Sequence, residues 1–201
     1  QVNAADTVIW KGNVNGNWDV NSTSNWVLSS DGVTSSKYYD FDVVTLDDTG
    51  IATPNVTLVG SITPASVTVA NTTGTYTLSG STISGSASLA KSGAGDLTLL
   101  SNNSYGGTTT ITGGTVTVGS GGTSGALGGS GTIGLSTGSS LVMNRSDAQS
   151  LGRSITGGGT LVKNGTGTLT MSVGNNACDI VINNGTLAAR GGDWATSFAA
   201  N

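Results

Sequence analysis

Four aspartates fall within nine positions of the chain, Asp40, Asp42, Asp47 and Asp48, the densest set of ionisable groups in the sequence. Two chemistries suit such a set. A pair of carboxylates flanking a glycosidic bond performs acid–base hydrolysis, and Asp40 and Asp42, two apart on a strand, would share one face. Several carboxylate oxygens together also suit calcium, a hard ion that takes many oxygen ligands. The four aspartates are therefore the calcium candidates. No EF-hand loop is present, and Gly93-Ala94-Gly95-Asp96 lacks the spacing of a calcium-binding nonapeptide. All eleven acidic residues are Asp, and the chain has neither Glu nor His. That removes the Ser-His and Cys-His pairings of nucleophilic catalysis, and Asp near turns is ordinary turn chemistry. No catalytic residue is assigned.

Aromatic residues supply the second candidate site. Trp18, Trp26, Tyr38 and Tyr39 lie in the first forty residues, with Gly16-Asn17-Trp18 and Ser24-Asn25-Trp26 eight apart and Trp10 eight before the first. Flat rings with a polar tip stack on sugar rings at exposed sites, so these four residues form a candidate carbohydrate platform. The alternative is architectural: bulky rings shielding the open end of a stack of coils. The choice turns on whether the rings are exposed.

Charge narrows the partners. The formal net charge is −4 and only 9% of residues are charged, so no basic stripe exists to neutralise nucleic-acid phosphates or an anionic membrane surface. No run of 18 apolar residues exists to span a bilayer as a helix. The start, Gln1-Val2-Asn3-Ala4-Ala5-Asp6, has no basic or apolar leader and suits a stub left after signal-peptide removal. Cys178 has no second cysteine to bond and alternates with Ile180 and Ile182, which marks it as a small buried hydrophobe.

The elements that position these residues are strands. The chain holds 33 glycines, abundant Thr and Ser, and few straight-chain helix formers. Val, Leu and Ile recur in alternation between the glycines, unlike a disordered chain. Units such as Leu97-Thr98-Leu99, Val116-Thr117-Val118 and Leu169-Thr170-Met171 put aliphatics on one face and Thr on the other. The leading aliphatics at 89, 97, 116, 133, 141, 161, 169 and 187 are separated by gaps of 8, 19, 17, 8, 20, 8 and 18. A short gap plus a long one predicts coils of 26–28 residues. On that spacing, coils of unequal length would leave the outward Thr rows irregular, against an ordered-water surface. The segment Leu89 to Thr98 returns 72 positions later as Leu161 to Thr170. Such long-period self-similarity favours a parallel β-helix over a β-sandwich, which also shows strands at intervals of about 8 to 12 residues. The expected fold is all-β: a right-handed parallel β-helix, the hand following from the twist of parallel connections. A Trp- and Asp-rich β cap covers residues 1–60, and the repeat array runs over 61–201 with copies at 83–119 and 155–190.

Leu89-x-Lys91-Ser92-Gly93-Ala94-Gly95-x-Leu97-Thr98-Leu99, with Asn102-x-x-Tyr105-Gly106-Gly107-Thr108-Thr109-x-Ile111-x-Gly113-Gly114-Thr115-Val116-x-Val118-Gly119, closely resembles the autotransporter-associated β-strand repeat. The second copy keeps the first and last parts and replaces the middle with Asn175-Asn176-Ala177-Cys178-Asp179. The Asn-Trp units and the Asp-Phe-Asp run resemble the segment that often precedes such repeats. The resemblance implies a passenger-type β-helix, secreted or displayed on a Gram-negative surface and linked to further domains. It implies no chemistry and no cofactor other than the calcium considered above. The expected function is a non-enzymatic scaffold or adhesion module. Two other readings are a carbohydrate-binding module for polysaccharide or cell-surface glycans, and an Asp-based polysaccharide lyase or hydrolase.

Overall fold

In the computed structural model, which describes residues 5–171, 177–189 and 198–200, the alternation is realised as short strands with inward aliphatics. Strand Ser66–Val69 buries Val67 and Val69, and strand Asp96–Leu99 buries Leu97 and Leu99; the residues between them face outward. The strands stack in parallel as a β-solenoid of about six turns.

Three sheets form its walls. From the N-terminal end, the first sheet runs Ser35–Ser36, Trp26–Leu28, Thr7–Trp10, Val43–Leu46, Ser66–Val69, Ser88–Lys91, Thr109–Ile111, Ile133–Leu135 and Ile155–Thr156. The second runs Asn17–Trp18, Asn55–Leu58, Thr75–Gly80, Asp96–Leu99, Thr115–Val118, Ser140–Met143, Thr160–Lys163, Asp179–Ile182 and Phe198–Ala200. A third sheet appears late, from Gln149–Leu151, Thr168–Met171 and Thr186–Ala189. Pairing is parallel except at the start, where Trp26–Leu28 lies antiparallel to both Thr7–Trp10 and Ser35–Ser36.

Register turns the strands into internal columns. Tyr76, Leu97, Val116, Leu141, Leu161 and Ile180 are successive partners in the second sheet, and all are buried. Burying each such side chain contributes about 1.5–3 kcal/mol, and only the coils above and below can do it.

Stacked partners lie 18 to 25 residues apart from Val43 onward, so the expected coil of 26–28 residues is corrected. The reason is geometric. The step from Leu89 to Leu97 crosses one corner from the first sheet to the second, whereas Leu97 to Val116 is already a full turn. Adding the two counted a corner twice. Unequal coils do not break the outward rows either: Thr77, Thr98 and Thr117 are in register, and length differences are absorbed at the corners.

The two sequence copies occupy different walls. Leu89-Ala90-Lys91 is in the first sheet and Leu97-Thr98-Leu99 in the second. Their counterparts Leu161-Val162-Lys163 and Leu169-Thr170-Met171 are in the second and third. The second copy is therefore rotated by one wall. Of its substituted middle, Asn175 and Asn176 lie outside the described residues, while Cys178 is buried. Burial pushes the Cys178 thiol up to about 11.

Candidate functional site

The candidate aromatics meet at the N-terminal end, inside the stack. Trp18, Trp26 and Tyr38 are fully or almost fully buried, and Tyr39 is half-buried. Strand pairing sets Trp10 opposite Trp26. The rings pack edge to face, with centroids 5.0 Å apart for Trp10–Trp26, 5.2 Å for Trp18–Trp26 and 5.4 Å for Trp18–Tyr38. Such pairs contribute about 0.5–1.5 kcal/mol beyond area burial. The Trp10 indole donates to the Thr53 carbonyl at 3.0 Å, whereas Nε1 of Trp18 and of Trp26 is buried without a partner. An exposed platform of Trp18, Trp26, Tyr38 and Tyr39 is thus corrected. The strands that carry the tryptophans turn their rings to the core, and three of the four candidate side chains present no free face.

Among the described residues the exposed aromatic is Phe41, 66% accessible. Its φ of 74° is left-handed, a conformation that costs an L-residue about 1–3 kcal/mol. Phe41 also corrects the expected strand through Asp40 and Asp42. Residues 40 and 41 form a turn, and the strand begins at Val43. Asp40 accepts the Tyr38 hydroxyl at 3.2 Å and the Thr63 amide at 3.0 Å. Asp42 is buried and accepts the amides of Asp6 and Tyr39, both at 2.8 Å. Burial pushes its carboxyl above the ordinary range.

Asp47 caps the 3-10 turn Asp48–Gly50 by accepting the Thr49 amide at 2.9 Å. Asp48 accepts the Thr72 amide at 2.8 Å and hydroxyl at 2.6 Å, and its carboxyl is held low by those bonds. Each of the four carboxylates is thus engaged by backbone or hydroxyl donors of its own turn or of a neighbouring segment, and among the described residues no three acidic, His or Cys side chains converge on a metal-sized site. No pocket opens among the described residues.

Sequence reasoning missed the most unusual side chains, Lys91 and Lys163. They are 1% and 3% exposed. Lys91 takes the place of an aliphatic in the column between Val69 and Ile111, and Lys163 does so between Met143 and Ile182. Lys91 Nζ donates to the carbonyls of Ser92, of Gly93 at 3.0 Å and of Gly113 in the next coil at 3.5 Å. Lys163 Nζ donates to Gly165 O and, in the next coil, to Asn184 O at 3.4 Å. The signal was in the alternation: Leu89 and Lys91, like Leu161 and Lys163, share parity and hence a face.

Glycines complete these corners because backbone meets backbone there. A Cβ on Gly93 would overlap the Asn71 carbonyl oxygen, and one on Gly165 would overlap that of Arg145. Asn71 and Arg145 sit at the same place in the preceding coil, and both close the corner with side-chain donors. Asn71 Nδ2 donates to Thr73 O at 3.1 Å and Gly74 O at 3.0 Å; Arg145 donates to Gly125 O and pairs with Asp147 at 2.7 Å. Tyr105, the aromatic of the first copy, is buried, with its hydroxyl 3.0 Å from Thr109 Oγ1.

Residues 89–118 and 161–189, which span both lysine corners, match the family model of the passenger-associated-transport-repeat. Each of these two segments is thus similar to one such repeat. In each matched segment the Lys-x-Gly-x-Gly run is a corner and the flanking Leu units are the strands that enter and leave it. No curated protein and no solved structure matches the chain.

Proposed function

We propose that the chain is a non-enzymatic scaffold module of a larger secreted or surface-displayed bacterial protein, with a Gram-negative cell surface as its setting. The observation that carries this reading is where the polar side chains go. The repeat lysines, Asn71, Arg145, Asp40 and Asp48 are all hydrogen-bonded from one coil to an adjacent one. The two passenger repeats support it further. Their description links them to the transport of passenger segments, a role that needs a stable rod and no reaction centre.

Two experiments test it. With the module inserted between a reporter domain and a cell-surface anchor, the reporter should be displayed, and Leu97→Asp, which places a charge in a buried column, should abolish display. Unchanged display with unfolded coils would sink the scaffold role. Separately, incubation of the purified chain with a panel of polysaccharides should release no reducing ends and no unsaturated product. Release that vanishes with Asp40→Asn or Asp42→Asn would establish an enzyme instead.

A second reading, adhesion to polysaccharide or cell-surface glycans, is favoured by one observation: the exposed, left-handed Phe41 beside half-buried Tyr39. On this reading, retention on insoluble polysaccharide is lost in Phe41→Ala while the melting temperature is kept or raised. Retention that survives Phe41→Ala counts against it.

A further inference from the structure

Three Asn-Gly steps occur in the chain, at Asn15-Gly16, Asn164-Gly165 and Asn184-Gly185. An asparagine followed by glycine can cyclise when the next backbone nitrogen reaches its carboxamide carbon, because glycine has no Cβ to obstruct the approach. The folded chain treats the three steps very differently.

At Asn15 the carboxamide oxygen accepts the Asn17 amide at 2.8 Å and Asn25 Nδ2 at 2.9 Å, which turns it away from its own neighbour. At Asn164 the oxygen accepts Asn183 Nδ2 at 2.6 Å, and the Gly165 nitrogen is committed to Met143 O at 3.2 Å. Gly165 is also buried against the Arg145 backbone. Asn184 differs in exposure and in hydrogen bonding, while Gly185, like Gly165, packs against backbone of the preceding coil. Both Asn184 and Gly185 are exposed, Gly185 has φ +78°, and its nitrogen lies 2.8 Å from Asn184 Oδ1. The nucleophile and the carboxamide it would attack are already together, with water at hand.

The geometry points to Asn184 as a site of spontaneous modification in the folded protein, the one Asn-Gly step of the three that is poised to deamidate. The Gly185 nitrogen gives up its proton to water and bonds to Asn184 Cγ. The Cγ–Nδ2 bond breaks as the nitrogen takes a proton back from water and leaves as ammonia, closing a five-membered succinimide. Water then opens the ring at either carbonyl, giving aspartate or an isoaspartyl linkage. No oxidant or reductant takes part.

The products act on a structural element, because Asn184 O is one of the acceptors of the buried Lys163 ammonium. Aspartate at 184 sets a carboxylate beside a cation held so far by carbonyls. The isoaspartyl form inserts an extra backbone carbon into the turn between Asp179–Ile182 and Thr186–Ala189, and so shifts the latter strand against its partner Thr168–Met171.

The test is a time course on the purified chain at mildly alkaline pH, folded and in urea, read by peptide mass mapping and isoaspartate detection. Folded protein should accumulate deamidation at residue 184 while the peptides holding Asn15 and Asn164 stay unchanged, and in urea all three should convert. Asn184→Gln should remove the folded-state signal. Conversion of Asn15 or Asn164 keeping pace with Asn184 in the folded chain would overturn the proposal. So would an Asn184 that converts in urea and stays intact when folded.

Discussion

Lys91 and Lys163 place an ammonium where the columns above and below are aliphatic. A buried cation is costly unless its donors are used, and here backbone carbonyls of two successive coils use them. Lys91→Met keeps the stem and deletes the donors, leaving the Ser92, Gly93 and Gly113 carbonyls without them. Urea unfolding should show a loss of about 1–3 kcal/mol, the cost of orphaned buried acceptors. Unchanged stability would mean that those carbonyls find water. A second residue-level expectation concerns acid. The Asp48 carboxyl lies below its ordinary 3.8 because the Thr72 hydroxyl, then the Thr72 amide, bond its charged form. A lowered folded-state pKa contributes stability present above the unfolded value and lost as pH falls through the folded one. The melting temperature should therefore drop below pH 3.8, and Asp48→Asn should flatten that drop. At this scale the sequence was a partial guide. It named the aspartates, whose turn role is ordinary Asp chemistry, but nothing in residue type tells that a lysine faces inward; only its parity with Leu89 does.

Corners decide how the strands become coils. Gly93 and Gly32 both have left-handed backbones, with φ of +72° and +71°. A Cβ on Gly93 would strike the neighbouring coil, whereas one on Gly32 would meet open space. Alanine at Gly32 should cost only the conformational penalty, about 1 kcal/mol, and alanine at Gly93 distinctly more. The difference between the two denaturation midpoints measures how tightly the coils are packed; equal losses would show that the corner has room to yield. Strands were legible because alternation of aliphatic and Thr leaves little choice of face. Coil length was not, because the distance between aliphatics does not tell a corner from a full turn. Unequal turns of 19 and 25 residues, Leu97 to Val116 and Val116 to Leu141, hide the period while the ladder keeps its register. The tryptophans show the same limit: a spacing of eight put them on strands without revealing that their rings face each other.

Across the whole molecule each coil touches only its neighbours, so damage should stay local. Trp26→Ala removes a ring that packs against Trp10, Trp18 and Tyr38, and should cost about 3–5 kcal/mol at the N-terminal end. Amide exchange should accelerate in Thr7–Trp10 and Asn17–Trp18 and remain slow in Ser140–Met143 and Thr160–Lys163. Uniform acceleration would show a single cooperative unit instead. The fold class was readable from composition and self-similarity, since glycine corners and β-branched strands repeated along a chain can bury their core only by stacking. That the second sequence copy is turned by one wall was not readable, because a sequence offset of 72 carries no angular information.

The antiparallel hairpin at the start of the first sheet has a consequence for colloidal behaviour. Every coil of a parallel stack offers its successor a ready hydrogen-bonding edge, and a rod with two such edges can recruit copies of itself end to end into fibres. The chain direction reverses at Trp26–Leu28 and again at Ser35–Ser36, so the outermost strand runs with the stack but is only two residues long. An incoming coil finds a template of only two residues at this margin of the first sheet, and so short an edge disfavours end-to-end pairing there.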